Sequence, residues 1–161
     1  MSLRATLRDR LLNIWVGTPW HGVSSKQVHA DITAAEAAAR PIPGVQTIWE
    51  ATLHMIAWTE EVASRLRGNP PRDPDRGDWP PMPDATAEKW TETIAQLGAA
   101  RQSVLDALEK AHEEDLYMLV QRGDGSGGGI TRAATASGLI EHDVYHLGQI
   151  ALIKKALRFK S

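Results

Sequence analysis

The amino-acid sequence predicts an all-α protein folded as a four-helix bundle. Three observations favour this fold class. Four long segments carry apolar residues at helical spacing, no segment alternates as a convincing strand, and no internal repeat is present. We expect residues 1–161 to form a single domain that is large enough to bury a core. A long proline-rich connection between the second and third long helices favours a crossover over a simple up-down-up-down order.

The first long helix is predicted over residues 2–15. Its apolar residues share one face at a period of 3.6 and are Leu3, Leu7, Leu11 and Ile14. Residues 17–19, Gly-Thr-Pro, end it. A short helix is expected within residues 24–31. Another is expected over residues 33–40, where a Thr-x-x-Glu capping box opens it and the prolines that follow stop it.

The second long helix is expected to begin after Thr47, which pairs with Glu50 in a further capping-box pattern, and to run to about Arg67. Residues 69–84 follow and contain six of the nine prolines; Trp79 in their middle predicts that this segment packs onto the fold. The third and fourth long helices are predicted at about 85–110 and 131–158, joined in part by the glycine-rich residues 123–129.

Composition excludes several classes of function. A net charge of −2 gives no basic surface for nucleic acid or an anionic membrane. The chain has no cysteine, so disulfides, thiolate ligands and a cysteine nucleophile are excluded. No apolar run is long enough for a membrane helix, and the first residues lack a signal-peptide core. We therefore expect a cytoplasmic protein with no membrane or nucleic-acid partner.

A pair of histidines near the end of the chain indicates a metal site. His142 and His146 are four residues apart in a predicted helix, so both imidazoles leave one face. Two imidazoles rarely make a site alone, but His54 lies on the apolar stripe of the second long helix. If the two helices are neighbours, three imidazoles meet one ion and leave a coordination position open. Spacing alone does not establish that contact; the alternative is that the histidines are hydrogen-bonded packing residues.

The order of motifs along the chain resembles the DinB/YfiT superfamily. The similar segments cover nearly the whole chain and are Trp20-His21-Gly22, Arg40-Pro41-Ile42-Pro43-Gly44, Ile48-Trp49-Glu50 with His54 and Trp58, and the stretch from His142 through His146 to Gln149-Ile150. The resemblance implies a four-helix bundle, commonly a homodimer, with one divalent metal ion held by three histidines. It maps those ligands onto His54, His142 and His146.

The resemblance also suggests chemistry. Some members of the superfamily use the metal to activate a low-molecular-weight thiol, such as bacillithiol or mycothiol, and others are described by analogy as metal-dependent hydrolases. A thiol S-transferase or hydrolase acting on a small molecule is therefore the leading hypothesis, with zinc or nickel as the ion because imidazole suits both. The alternative is a non-catalytic stress-response or dimerisation module with a structural or vestigial metal site. A bare scaffold with scattered histidines is the third reading.

Three further side chains are candidates for catalysis. Glu50 precedes His54 by one turn and could act as a base or support a ligand, although its capping box alone explains it. His21 lies in a predicted turn that could border the site or serve only structure. Gln149 follows His146 by three residues and could orient a ligand or substrate, or simply pack.

The remaining polar and aromatic residues are expected to have structural roles. Asp143 is predicted to point away from the histidines into solvent or an interface, and His29 and His112 are predicted at the surface. The tryptophans are expected mostly in the core, with one or two lining the pocket, and are Trp15, Trp20, Trp49 and Trp58.

Overall fold

The computed structural model describes residues 2–120 and 129–159. Within them the regular secondary structure is helical, apart from a single antiparallel bridge between Leu119 and Thr131. The helices are α1 Leu3–Val16, α2 Ser25–His29, α3 Ala34–Ala38, α4 Ile48–Leu66, α5 Ala87–Lys110 and α6 Arg132–Arg158, with a 3₁₀ turn at Glu114–Tyr117. All four predicted long helices are present, so the all-α fold class is confirmed. The predicted connector 123–129 lies largely outside the described residues.

Side-chain caps fix the starts of the helices. At α4, the Thr47 hydroxyl accepts a hydrogen bond from the Glu50 backbone N–H at 3.1 Å, and Glu50 Oε2 accepts one from the Thr47 N–H at 2.7 Å. The same reciprocal pair joins Thr33 and Glu36 at α3. Both predicted capping boxes are therefore confirmed. They satisfy backbone donors that a helix N-terminus otherwise leaves free.

Helices α4 and α5 run parallel, which confirms the predicted crossover. Near their starts, Trp49 Nε1 donates to Thr93 Oγ1 at 3.0 Å, and near the end of α4, Arg67 Nη1 donates to Ser103 Oγ at 3.0 Å. The chain must therefore return along the length of α4 before α5 begins. Residues 67–86, here called the crossover segment, make that return.

Helix α6 packs antiparallel to α4. Leu66, at the end of α4, shares one apolar cluster with Leu139, from the first half of α6, whereas Ile48, at the start of α4, shares a second cluster with Ile150. The middle of α4 consequently faces the middle of α6, between the two clusters. This register is what positions the candidate site. None of the described helices is both long enough and apolar enough to span a membrane.

The buried tryptophans each have a partner for the indole N–H. Trp15 donates to Asp143, Trp49 to Thr93, and Trp90 to the carbonyl oxygen of Ile32. These bonds tie together helices that are distant in sequence, and they remove the cost of burying an unpaired donor. Trp20 differs: its side chain is fully exposed, so the expectation that it belongs to the core was wrong.

His29 is buried, not at the surface as predicted. Its Nδ1 lies 2.8 Å from the Ser25 carbonyl oxygen and its Nε2 lies 3.3 Å from Thr52 Oγ1. Burial, with the nearby Arg101 guanidinium as a smaller cause, lowers the pKa of His29 to about 4. Helical periodicity did not indicate the burial of His29, because α2 spans little more than one turn and is too short to show an apolar stripe.

We expect His29 to make the metal-free protein sensitive to acid. In the unfolded chain it takes up a proton below about pH 6.5, but in the folded protein only below about pH 4. The contribution of neutral His29 to the free energy of unfolding is therefore complete above about pH 6.5. It decreases as the pH falls towards 4, by at most about 1.4 kcal/mol per pH unit. The free energy of unfolding, from urea titrations at several pH values, should fall less steeply in His29→Gln. The matched control is His112→Gln, since His112 is exposed; equal slopes for all three proteins would contradict the assignment.

Candidate metal centre

Three histidines from two helices meet between the apolar clusters. His54 comes from the middle of α4, and His142 and His146 from successive turns of α6. Ring centroids lie 5.0 Å apart for His54 and His142, 4.7 Å for His54 and His146, and 4.5 Å for His142 and His146. One ring nitrogen of each residue lies within 4.8 Å of the other two. The contact between α4 and α6 at the three histidines, which spacing in the sequence could not establish, is therefore present.

Hydrogen bonds orient two of the rings. His54 Nδ1 lies 2.6 Å from the Asp78 carbonyl oxygen, and His146 Nδ1 lies 2.7 Å from Gln149 Oε1. Both oxygens are acceptors, so Nδ1 carries the proton in each ring and Nε2 keeps a free lone pair. His142 presents the same atom, since its Nε2 lies 3.0 Å from His54 Nε2. The Nε2 atoms of His54 and His142 thus face each other.

The crossover segment forms one wall of the site. The Trp79 ring stacks on His54 with 4.0 Å between centroids and 11° between planes. Next to it, Asp78 Oδ1 accepts a hydrogen bond from Trp58 Nε1 at 2.7 Å. The prediction that Trp79 holds the segment against the fold is confirmed, although 41% of its surface remains exposed. The sequence did not indicate that Asp78 belongs to the site, because a backbone carbonyl acceptor can come from any residue type.

Burial keeps two of the imidazoles neutral. Burial, together with the neighbouring His142, lowers the pKa of His146 to about 4. Burial is also the main reason that the pKa of His54 lies below its usual value. Because a histidine must be unprotonated to ligate, both rings are ready to bind a metal at neutral pH without first losing a proton.

The donor set fits a late first-row divalent ion. Imidazole bonds to zinc are about 2.0–2.1 Å long, so tetrahedral ligand nitrogens lie about 3.4 Å apart. The His54–His142 separation of 3.0 Å is close to that value. Two of the three rings already have the oxygen partner at Nδ1 that metal-ligating histidines usually possess. Three protein nitrogens leave a fourth position for water or substrate, as in catalytic sites.

A small cavity adjoins His142. Its volume is about 210 Å³, and it lies between α4 and α6 on the side of His142. His142 is the most exposed of the three ligand candidates, with 27% of its side chain accessible. The lining is mainly apolar with one cation, and comprises Trp58, Val62, Arg65, Ile130, Thr135, Gly138 and Leu139. The site therefore has an approach route from its His142 side.

The other catalytic candidates lie in different environments. Glu50 completes the α4 capping box, and Arg40 Nη2 donates to both of its carboxylate oxygens, at 2.7 and 2.8 Å. His21 lies in an exposed turn after α1. Across residues 2–120 and 129–159, neither side chain has a hydrogen bond, ion pair or ring contact with the three histidines. Gln149 alone of the three joins the site, through its bond to His146, and catalysis by any of them remains a prediction.

Asp143 is the residue whose placement differs most from expectation. Its side chain is fully buried, not solvated or at an interface, and its Oδ2 accepts a hydrogen bond from Trp15 Nε1 at 2.6 Å. Arg101 Nη2 lies 3.6 Å from the same oxygen. The prediction failed because the partners come from α1 and α5, which sequence spacing along α6 does not reveal.

Comparison with known proteins agrees with this fold. The sequence profile of the DinB superfamily matches residues 25–150. The crystal structure of a conserved protein from Enterococcus faecalis superposes with a TM-score of 0.63 at 18% identity, covering 98% of this chain and 94% of that one. No protein with a curated description matches the chain. At that identity the structural likeness concerns the fold alone.

We expect single substitutions at the triad to abolish tight metal binding. His54→Ala or His146→Ala should each lower affinity for zinc by at least about tenfold, because each removes one of three protein donors. Metal content per chain would be measured by mass spectrometry on untagged protein purified without chelator or nickel resin. The exposed His112→Ala should retain the wild-type content. Unchanged affinity in both triad variants would refute the site.

Proposed function

The chain belongs to the DinB superfamily, and on that premise we propose that it is a metal-dependent enzyme acting on a small molecule. The observation that carries the proposal is the convergence of His54, His142 and His146, of which His142 borders a cavity. Three imidazole nitrogen donors leave a fourth coordination position to water or substrate, which suits catalysis better than a structural site, in which the protein closes the coordination sphere. Zinc or nickel is the proposed ion, since imidazole suits both.

A bound divalent ion would supply Lewis acidity, lowering the pKa of a thiol or water that it holds so that either is a nucleophile at neutral pH. The protein's own residues do the rest. Asp78 and Gln149 hold two of the imidazoles in the required tautomer. Trp79 covers one face of His54 and limits the access of water from that side.

The cavity favours a small and partly apolar substrate. At about 210 Å³ it is smaller than the usual pocket for a drug-sized ligand. Trp58, Val62 and Leu139 supply apolar surface. Arg65 is already engaged, since its Nε donates to Glu61 at 2.8 Å and its guanidinium lies 5.7 Å from the Trp58 ring centroid. We infer that it shapes the wall more than it recognises charge.

Two reactions fit this arrangement. In the first, the enzyme is an S-transferase in which a low-molecular-weight thiol attacks an electrophilic carbon and displaces a leaving group. In the second, it is a hydrolase in which water takes the place of the thiol. The absence of cysteine is consistent with the first, because the sulfur then comes from the cosubstrate.

We expect the zinc- or nickel-loaded protein to accelerate one of these reactions and the His142→Ala variant to lose that acceleration. The assay would pair low-molecular-weight thiols, bacillithiol and mycothiol among them, with chlorodinitrobenzene, and in parallel follow hydrolysis of a nitrophenyl ester panel. Protein loaded with metal but carrying His112→Ala is the matched control. Retention of full metal occupancy without either activity would favour the non-catalytic module with a structural metal.

We further propose that the protein is a homodimer joined through α6. Tyr145, Leu152 and Phe159 are 63%, 60% and 81% exposed. Their seven-residue spacing places them on one side of the helix, two turns apart. Gly148 lies between them, and a Cβ there would meet no atom within 4 Å, so the surface between the apolar side chains is flat and open.

The interface proposal predicts that Leu152→Glu converts a dimer to a monomer, because burying an unpaired carboxylate against an apolar face is costly. Molar mass would be measured by light scattering after size exclusion. Val16→Glu, on an equally exposed apolar residue of α1, serves as the control and should leave the mass unchanged. A wild-type protein that is monomeric at high concentration would contradict the proposal.

A further inference from the structure

Asp143, next to the ligand candidate His142 in the chain, has an acceptor oxygen without a hydrogen-bond partner among the described residues. Asp143 is fully buried. Its Oδ2 interacts with Trp15 and Arg101, at 2.6 and 3.6 Å. Its Oδ1 is buried and has no hydrogen-bond partner within the described residues. An acceptor left in this state costs about 1–3 kcal/mol, so a second role for Asp143 would account for its retention in the core.

A ring nitrogen that becomes a donor when the other nitrogen of its ring binds a metal lies beside it. The Nδ1 atom of His142 is also buried and also lacks a partner in the part of the chain that the structure describes. It lies 3.8 Å from Asp143 Oδ1. A charge-assisted hydrogen bond requires about 2.7–2.9 Å, so closing the gap takes a movement of roughly 1 Å.

The other two ligand candidates show what is missing at His142. His54 Nδ1 is bound to the Asp78 carbonyl oxygen, and His146 Nδ1 to the Gln149 side-chain oxygen. In each case the oxygen fixes the tautomer and leaves Nε2 facing the shared centre. His142 has Nε2 in the same place but no bond at Nδ1. Asp143 is the acceptor that would complete the set.

We propose that Asp143 is a positioning residue for the metal centre, accepting a hydrogen bond from His142 Nδ1–H when Nε2 of that ring binds a divalent ion. The inference rests on metal binding at the triad. The carboxylate fixes the ring and increases the basicity of the ligand, as in other carboxylate–histidine–metal arrangements. Trp15 and Arg101 both contact the carboxylate, from α1 and α5, so that Arg101 still holds it when the Trp15 hydrogen bond is removed. The metal ligands are therefore supported by all four long helices.

The competing explanation is that Asp143 only joins α1 and α5 to α6. Asp143→Asn separates the two roles. Asparagine has one acceptor oxygen, and the indole N–H of Trp15 requires it, so the amide NH₂ is left facing the Nδ1–H of His142. Trp15→Phe is the matched control: it removes the hydrogen bond between α1 and α6 but leaves the carboxylate available to His142.

We expect Asp143→Asn to lower zinc affinity by about 10- to 100-fold, measured by competition with a chromophoric chelator, while Trp15→Phe changes it by less than about threefold. Thermal unfolding of the metal-free proteins reports the structural role separately, and both variants should be destabilised there. The cobalt-loaded Asp143→Asn protein should also show an altered d–d absorption spectrum. Equal losses of zinc affinity in the two variants would assign Asp143 a structural role alone.

A measurement on the wild-type protein keeps the proposal testable if Asp143→Asn does not fold. In zinc-loaded protein with ¹⁵N-labelled histidine, three Nδ1 protons should be shifted downfield and protected from solvent, one for each ligand. Only two such protons would overturn the role of Asp143 while leaving the metal centre intact. Failure of the wild-type protein to bind zinc would overturn the metal centre itself, and this inference with it.

Discussion

Parallel packing of α4 against α5 is the constraint on which the site depends. Two parallel neighbours cannot be joined by a short turn, so the crossover segment must travel back along α4. Glu60 and Glu61 on that helix hold it, through Arg76 side-chain bonds of 2.7 and 2.9 Å and the Arg72 backbone N–H at 2.9 Å. The return path then passes His54. The crossover that this topology requires thus supplies a carbonyl acceptor and a stacking ring to the candidate metal centre.

A second organising feature is a chain of buried polar contacts that crosses the bundle. Thr52 contacts His29, His29 contacts Ser25, and Ser25 Oγ accepts a hydrogen bond from Arg101 Nη2 at 2.8 Å. Arg101 in turn lies beside Asp143. Such groups are costly to bury unless they find one another. Their mutual contacts therefore connect α2, α4, α5 and α6 through specific partners, in addition to the apolar packing between them.

The candidate metal centre lies where these two features meet. Apolar clusters on either side of the histidines provide the low-dielectric surroundings that lower the pKa of His54 and His146. The crossover segment covers one side, and the cavity beside His142 leaves another accessible. Three imidazole donors, two of them held by hydrogen bonds at Nδ1, are the features on which the proposed metal binding rests.

The sequence by itself determined the four long helices, their caps, the crossover and the three histidines, because helical periodicity, capping boxes and i,i+4 spacing are local properties of the chain. It could not decide that α4 and α6 touch at His54. Nor could it predict the burial of Asp143 and His29 or the contribution of Asp78, since each depends on partners distant in sequence. Only the tertiary structure decided those points: a polar side chain is buried where another element supplies its hydrogen bonds, and no local pattern encodes that pairing.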